Sequence, residues 1–168
     1  VEDAAELAPA HPHVVRLVAR AANAEGVGEV AVRDLVRQAL RMRPDRIVVG
    51  EVRGAEVVDL LTALNTGHDG GAGTVHANSP DEVPARLEAL AALGGLDRAA
   101  LHSQLVAAVQ VVLHVHRTPD GTRRLTEIGV VQRDEVSGVV VAPAWTHERG
   151  TQAGMDRLEQ LFRRREAP

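Results

Sequence analysis

Arg46-Ile47-Val48-Val49-Gly50-Glu51-Val52-Arg53-Gly54 decides the fold. Three consecutive apolar residues, all β-branched, run into a glycine and a carboxylate, which is how a strand buried on both faces looks. Upstream, Val32, Leu35, Val36, Ala39 and Leu40 recur at helical spacing until Pro44. Downstream, Val57, Val58, Leu60, Leu61 and Leu64 predict a second helix over about 55–64, closed by Asn65-Thr66-Gly67. A helix, a buried strand and another helix in that order predict an α/β layer with a mainly parallel sheet.

The same pattern extends in both directions. Residues 14–20 form a strand candidate, 23–29 a Gly-containing connection, and Thr74-Val75-His76 a further short strand. At Ser79-Pro80-Asp81-Glu82 the Ser hydroxyl can cap a helix running to about Leu93, with Glu82 reaching back as a capping box. Gly94-Gly95 breaks the chain, and Asp97 can cap a helix carrying Leu101, Leu105, Val106 and Val109. Beyond residue 110 a β meander is expected: 111–117, a turn at 119–121, 125–132, a turn near Gly138, and 139–143. Residues 152–165 suit a short amphipathic helix whose arginine run is solvated. The expected organisation is 1–110 and 111–150 as one domain, with 151–168 as a tail.

Composition excludes several function classes. The 168 residues carry 19 basic and 23 acidic side chains, a net charge of -4, which does not suit a polyanion binder held by charge. Every basic residue is Arg. Trp145 and Phe162 are the only Phe, Trp or Tyr residues, so stacking platforms for unpaired bases cannot be built, and no direct nucleic-acid binding is expected. Cysteine is absent, which removes disulfides, thiolate catalysis and Cys-ligated zinc. The apolar runs fall far short of the ~20 residues of a membrane span. With Val1 first and no signal-peptide pattern, the sequence reads as a piece of something longer.

Ligands of parallel α/β sheets bind beyond the carboxyl ends of the strands, and three polar clusters are expected there. In Glu2-Asp3-Ala4-Ala5-Glu6, carboxylates can hold a metal-bound water or act as general base, or can simply form a solvated acidic turn. Glu51, desolvated on one side, can orient water or a metal ligand beside a nucleotide's Mg²⁺, as in P-loop ATPases, or can end the strand in an ion pair with Arg53. Residues 67–79 place Gly67, Gly70, Gly71 and Gly73 ahead of Thr74, His76, Asn78 and Ser79. Such a loop lets backbone N–H groups approach a phosphate; an ordinary flexible loop, or zinc on His68 and His76, are the other readings. Arg33, Arg37 and Arg41 stripe one helix face, pairing with carboxylates such as Asp34 or reaching across a subunit boundary to a phosphoryl group. Arg16, Arg20 and Arg43 are equally eligible for that reach.

Taken together, VEDAAEL (1–7), HPHVVRL (11–17), the run LVRQALRMRPDRIVVGEVRGAEVVDLLTALNTGHDGGAGTVHANS (35–79) and PARLEAL (84–90) resemble the type II/type IV secretion ATPase superfamily, Flp-pilus (Tad) and conjugal-transfer branch. DGTRRLTEIGVV (120–131) extends the likeness more loosely. The resemblance implies part of a RecA-like P-loop ATPase core and a motor that uses ATP and Mg²⁺ to drive pilin assembly or secretion. It further implies a homo-hexamer at the cytoplasmic face of the inner membrane, working on a membrane platform protein. Glu6 matches the water-activating carboxylate of the Asp box, with Glu2 and Asp3 as the acidic pair before it. Glu51 matches the Walker B glutamate and its metal role. His76 matches the His-box residue that reads the γ-phosphate, with His68 as the earlier His and Gly70, Gly71 and Thr74 beside the nucleotide.

One departure stands out: no G-x-x-x-x-G-K-[ST] loop occurs, and no Lys at all. The expectation is a carboxyl-terminal portion of such a motor, inactive in isolation. A non-enzymatic module that docks onto a complete ATPase ring is the alternative.

Overall fold

The computed structural model describes residues 1–68 and 70–166, with side chains described as far as Arg163; Asp69, Arg164 and Arg165 of the segments above lie wholly or in their side chains outside that description. The chain divides into two compact units, residues 1–75 with 89–97 and residues 76–88 with 98–168.

The first unit is a small parallel layer. β1 (Val48–Val49) pairs in parallel with β2 (Ala72–Gly73). On the other side of β1, the Gly50 N–H donates to Val1 O and the Val1 amino group to Val48 O. Glu2 in turn bridges Val18 in parallel, and Arg20 bridges Val30 in antiparallel fashion. Val1–Glu2 is thus the middle of the layer, between the chain at Val18 and β1. The expected strands prove shorter than their apolar runs: 14–20 pairs only at Val18 and Arg20, and the strand expected at 74–76 lies at 72–73 instead. α1 (Val32–Arg41) and α2 (Glu56–Leu64) cover the layer, burying Val36 and Ala39 from one helix and Val57, Leu60, Leu61 and Ala63 from the other. α1 stops short of Pro44 because Arg43 turns into the left-handed region, φ 52°, just past the helix end.

Glycines decide where β2 lies. A Cβ on Gly71 would come within 2.6 Å of Leu64 Cδ2 and 2.7 Å of Ile47 O, and one on Gly73 within 2.8 Å of Leu60 Cδ2. Only a bare backbone fits between β1 and α2 at these two positions.

The second unit holds a four-stranded antiparallel sheet in the order β3 (Val111–Arg117), β4 (Arg123–Asp134), β5 (Gly138–Thr146), β6 (Gly150–Thr151). The meander is present as expected, longer at both β4 and β5. Val130, Ala144 and Leu158 form its buried cluster, with Val111, Ile128, Met155 and Leu161 packed around them. α4 (Arg98–Ala108) buries Leu101 and Leu105, and α5 (Met155–Glu166) supplies Leu158.

A 3-10 turn, Pro80–Glu82, precedes α3 (Val83–Leu93), which crosses from the second unit into the first along the chain. Ser79 makes no side-chain cap here, contrary to the expected capping box. Glu82 reaches instead past Ser79 to Asn78, accepting from its Nδ2 at 2.8 Å and its main-chain N–H at 3.3 Å. Among the described residues, no helix is long and apolar enough to cross a membrane.

Candidate active site

β1 delivers Gly50 and Glu51 to its carboxyl end, and the parallel Val1–Glu2 segment delivers Asp3 and Glu6 to the same end. Between them lies a cleft of 260 Å³ lined by Glu2, Asp3, Glu6, Leu7, Glu51 and Arg53, among others. Two of the three polar clusters therefore converge, although Asp3–Glu6 and Glu51 are some 45 residues apart in sequence.

The carboxylates in the cleft have different tasks. Glu2 is buried, and its Oε1 accepts the main-chain N–H groups of Leu7 at 2.7 Å and Glu6 at 2.9 Å. Those two bonds, Leu7 first, hold the Glu2 carboxyl below the usual carboxylate range. Glu2 therefore shapes the loop that presents Glu6, and its side chain also fills the space where a Cβ on Gly50 would fall, 2.9 Å from Glu2 Cγ. Asp3 and Glu6 are exposed to solvent, whereas the Glu51 side chain is only 16% exposed. Glu51 Oε1 lies 2.5 Å from Arg53 Nε, and Arg53 Nη1 lies 3.5 Å from Asp3 Oδ2. The hydrogen bond and charge of Glu51 raise the Arg53 pKa further.

Glu56 is a residue that the sequence reading missed. Its Oε1 accepts the main-chain N–H groups of Arg53 at 2.6 Å and Gly54 at 2.8 Å, fixing the loop between β1 and α2. A glutamate in the first turn of a helix, placed to reach back to the residues before it, is the signal that identifies it.

The third cluster divides around β2. His68, Gly70 and Gly71 come before β2, at the amino end of the parallel pair, and none of them lines the cleft. Their expected place at the carboxyl ends is corrected accordingly. His68 Nδ1 sits 3.1 Å from Ala63 O at the end of α2, and Gly71 serves the close packing described above. Thr74 follows β2 with its side chain exposed, and its carbonyl accepts from Val52 N–H at 2.8 Å. His76 begins the second unit and is exposed.

The arginine stripe pairs with a carboxylate. Arg33 Nε and Arg37 Nε bind the two carboxylate oxygens of Asp59 on α2, at 2.7 and 2.8 Å, while Asp34, on the same helix, adds its charge to the field on Arg37. Arg41 Nη1 contacts Gln38 Oε1 at 3.5 Å, and Arg20 Nε donates to Gly28 O at 2.8 Å. Arg16 is exposed, and its charge adds to the lowering of the Glu2 pKa.

The first unit is thus a parallel α/β layer with an acidic cleft at its carboxyl edge. The family model described as Type II/IV secretion system protein matches residues 1–158, and the chain belongs to that family. It is 70% identical over 165 residues to "Putative conjugal transfer protein Rv3659c" of Mycobacterium tuberculosis, covering 98% of this chain and 47% of that protein. Over 132 residues it is 28% identical to the type IV secretion system protein VirB11 of Bartonella quintana, covering 76% and 36%. Among solved structures it resembles the VirB11 ATPase of the Brucella suis type IV secretion system, solved in complex with sulphate, with a TM-score of 0.64 and 32% identity, covering 77% of this chain and 38% of that one. The chain spans about half the length of the Mycobacterium relative.

Proposed function

We propose that, within a protein of its relatives' length, this chain forms the carboxylate-bearing part of a Mg²⁺-dependent ATPase that drives secretion or conjugal transfer. The observation that carries the reading is the convergence of Asp3, Glu6 and Glu51 on one cleft at the carboxyl ends of parallel strands. Among the described residues no group of three or more His, Asp or Glu could hold a metal ion by itself. A largely buried carboxylate with acidic neighbours suits Mg²⁺, which keeps water and nucleotide phosphates as most of its ligands. Magnesium supplies neutralisation of the charge that develops on the transferring phosphoryl group.

In this reading Glu51 faces the hydrated metal, Glu6 accepts a proton from the attacking water, and Glu2 holds the loop that carries Glu6. Asp3 adds negative charge beside the metal, and Thr74, just past β2, lies on the nucleotide side. The sequence holds no loop of the G-x-x-x-x-G-K-[ST] type, so most triphosphate contacts come from outside these 168 residues. The finer proposal is a homo-hexamer at the cytoplasmic face of the inner membrane that pushes on a membrane platform protein; conjugal transfer is favoured over pilin assembly by the Mycobacterium relative's description.

The test compares this chain alone with a chimaera in which it replaces the matching 165 residues of that relative. The chimaera is expected to hydrolyse Mg-ATP, and the chain alone to bind it weakly in calorimetric titration and not to turn it over. Micromolar binding with turnover by the chain alone, or a folded chimaera without ATPase activity, would overturn the reading.

A further inference from the structure

We infer that Arg53 is a latch on the cleft: its guanidinium ties Glu51 to Asp3 and keeps both carboxylates from a divalent cation until the guanidinium is drawn away. The inference rests on the reading of Glu51 as the metal-facing carboxylate, and it goes beyond that reading by assigning a positioning role to Arg53.

Three observations carry it. Arg53 is the one cation among the residues described as lining the cleft. Its Nε is 2.5 Å from Glu51 Oε1 and its Nη1 3.5 Å from Asp3 Oδ2, so one fork spans the tips of two strand segments that meet only through tertiary pairing. The backbone beneath it is pinned, because Glu56 accepts the N–H groups of Arg53 and Gly54, whereas its side chain is 65% exposed. A pinned main chain under an exposed side chain is the construction of a movable arm. A static strut would be packed along its length.

The chemistry of guanidinium supplies the trigger. Arginine binds carboxylate and phosphate oxygens in the same forked geometry. A phosphate chain entering the cleft competes for the fork, and its departure from Glu51 exposes that carboxylate at the moment a phosphate-borne cation arrives. Without phosphate, the cation meets a neutralised pair. The latch thus couples metal access to the presence of the anion.

Mn²⁺ alone is the probe, with free metal followed by electron paramagnetic resonance on this chain, so ATP turnover plays no part. Arg53→Gln keeps the main-chain N–H that Glu56 holds and is expected to bind Mn²⁺ about tenfold more tightly than wild type, the scale of removing one nearby unit charge from a partly solvated site. The gain is expected to vanish in the double variant Arg53→Gln, Glu51→Gln. Equal affinity in wild type and Arg53→Gln, or a gain that survives in the double variant, overturns the latch. A second measurement needs no substitution at Arg53: its Nε–H is expected to exchange with solvent several-fold more slowly in wild type than in Glu51→Gln, and equal exchange rates overturn the contact itself. Failure of the chimaera to hydrolyse ATP would leave both readouts standing, so the two proposals fail separately.

Discussion

The cleft loops of the first unit and the sheet of the second are built on opposite terms. In the first, the named strands are two residues long, β1 and β2, and the rest of the layer is held by single bridges and scattered main-chain bonds. In the second, β3, β4 and β5 run for 7, 12 and 9 residues in continuous antiparallel register, bulged once in each pairing. Where ladders are short, N–H groups are left to be satisfied by side chains, and Glu2 and Glu56 fill that role. Those carboxylates order the loops that carry Glu6 and Arg53. In the second unit such bonds fall in the turns between long strands, where Asp134 Oδ1 accepts the N–H groups of Val136 and Ser137 and Asp120 Oδ1 that of Thr122, and the buried cluster of Val130, Ala144 and Leu158 is wholly apolar. Irregular backbone and the acidic cleft coincide because a carboxylate can shape a loop only where the sheet has stopped.

The comparison is sharpened most by truncating the apolar core of each unit. Leu61 and Leu101 are 2% and 0% exposed, and Leu61→Ala and Leu101→Ala are each expected to lower unfolding free energy by about 2–5 kcal/mol in urea titrations. A cost below about 1 kcal/mol for Leu61→Ala would mean that polar contacts hold the first unit without help from a core. A smaller loss is expected for Gly71→Ala, about 1–3 kcal/mol, because the added methyl meets the Ile47 carbonyl, which cannot move without β1. A neutral result by thermal denaturation would show that β2 and α2 are not closely apposed.

The third effect depends on pH. Because the Glu2 carboxyl lies below its ordinary value when folded, its ionised form favours the folded state above the unfolded-chain pKa of about 4.3, and that contribution fades as pH falls through the lowered value. Glu2→Gln is therefore expected to melt at a lower temperature than wild type at pH 7, with the two melting curves drawing together in acid. A difference in Tm that stays constant down to pH 2 would show that the charge on Glu2 does nothing for the loop.

Much of this architecture is legible in the sequence, and the misses share a cause. β3 is found at the expected residues, and α2, α4, β4 and β5 near theirs, because alternation and helical spacing report burial directly. The strand at 72–73 is hidden, since Ala and Gly have little strand preference and only their fit beneath Leu60 and Leu64 places them there. The acidic cluster and Glu51 stand out in the sequence as candidates and meet in one cleft, but the two bonds that Glu2 accepts from the Leu7 and Glu6 main chain are a matter of which way a side chain turns. The same holds for Arg33 and Arg37, whose shared partner Asp59 lies on the neighbouring helix. The pair of Arg53 with Glu51 was one of two readings of that segment, and it occurs inside the very cleft that the other reading required.

The central claim, that the cleft at Glu51 is where a nucleotide is hydrolysed, is tested most directly in the chimaera by Glu51→Gln. This substitution preserves shape and removes charge, so Mg-ATP binding is expected to persist while steady-state turnover falls by at least about a hundredfold, the scale of losing a key transition-state contributor. Turnover at the unsubstituted rate would contradict the account and leave the acidic cleft a structural feature.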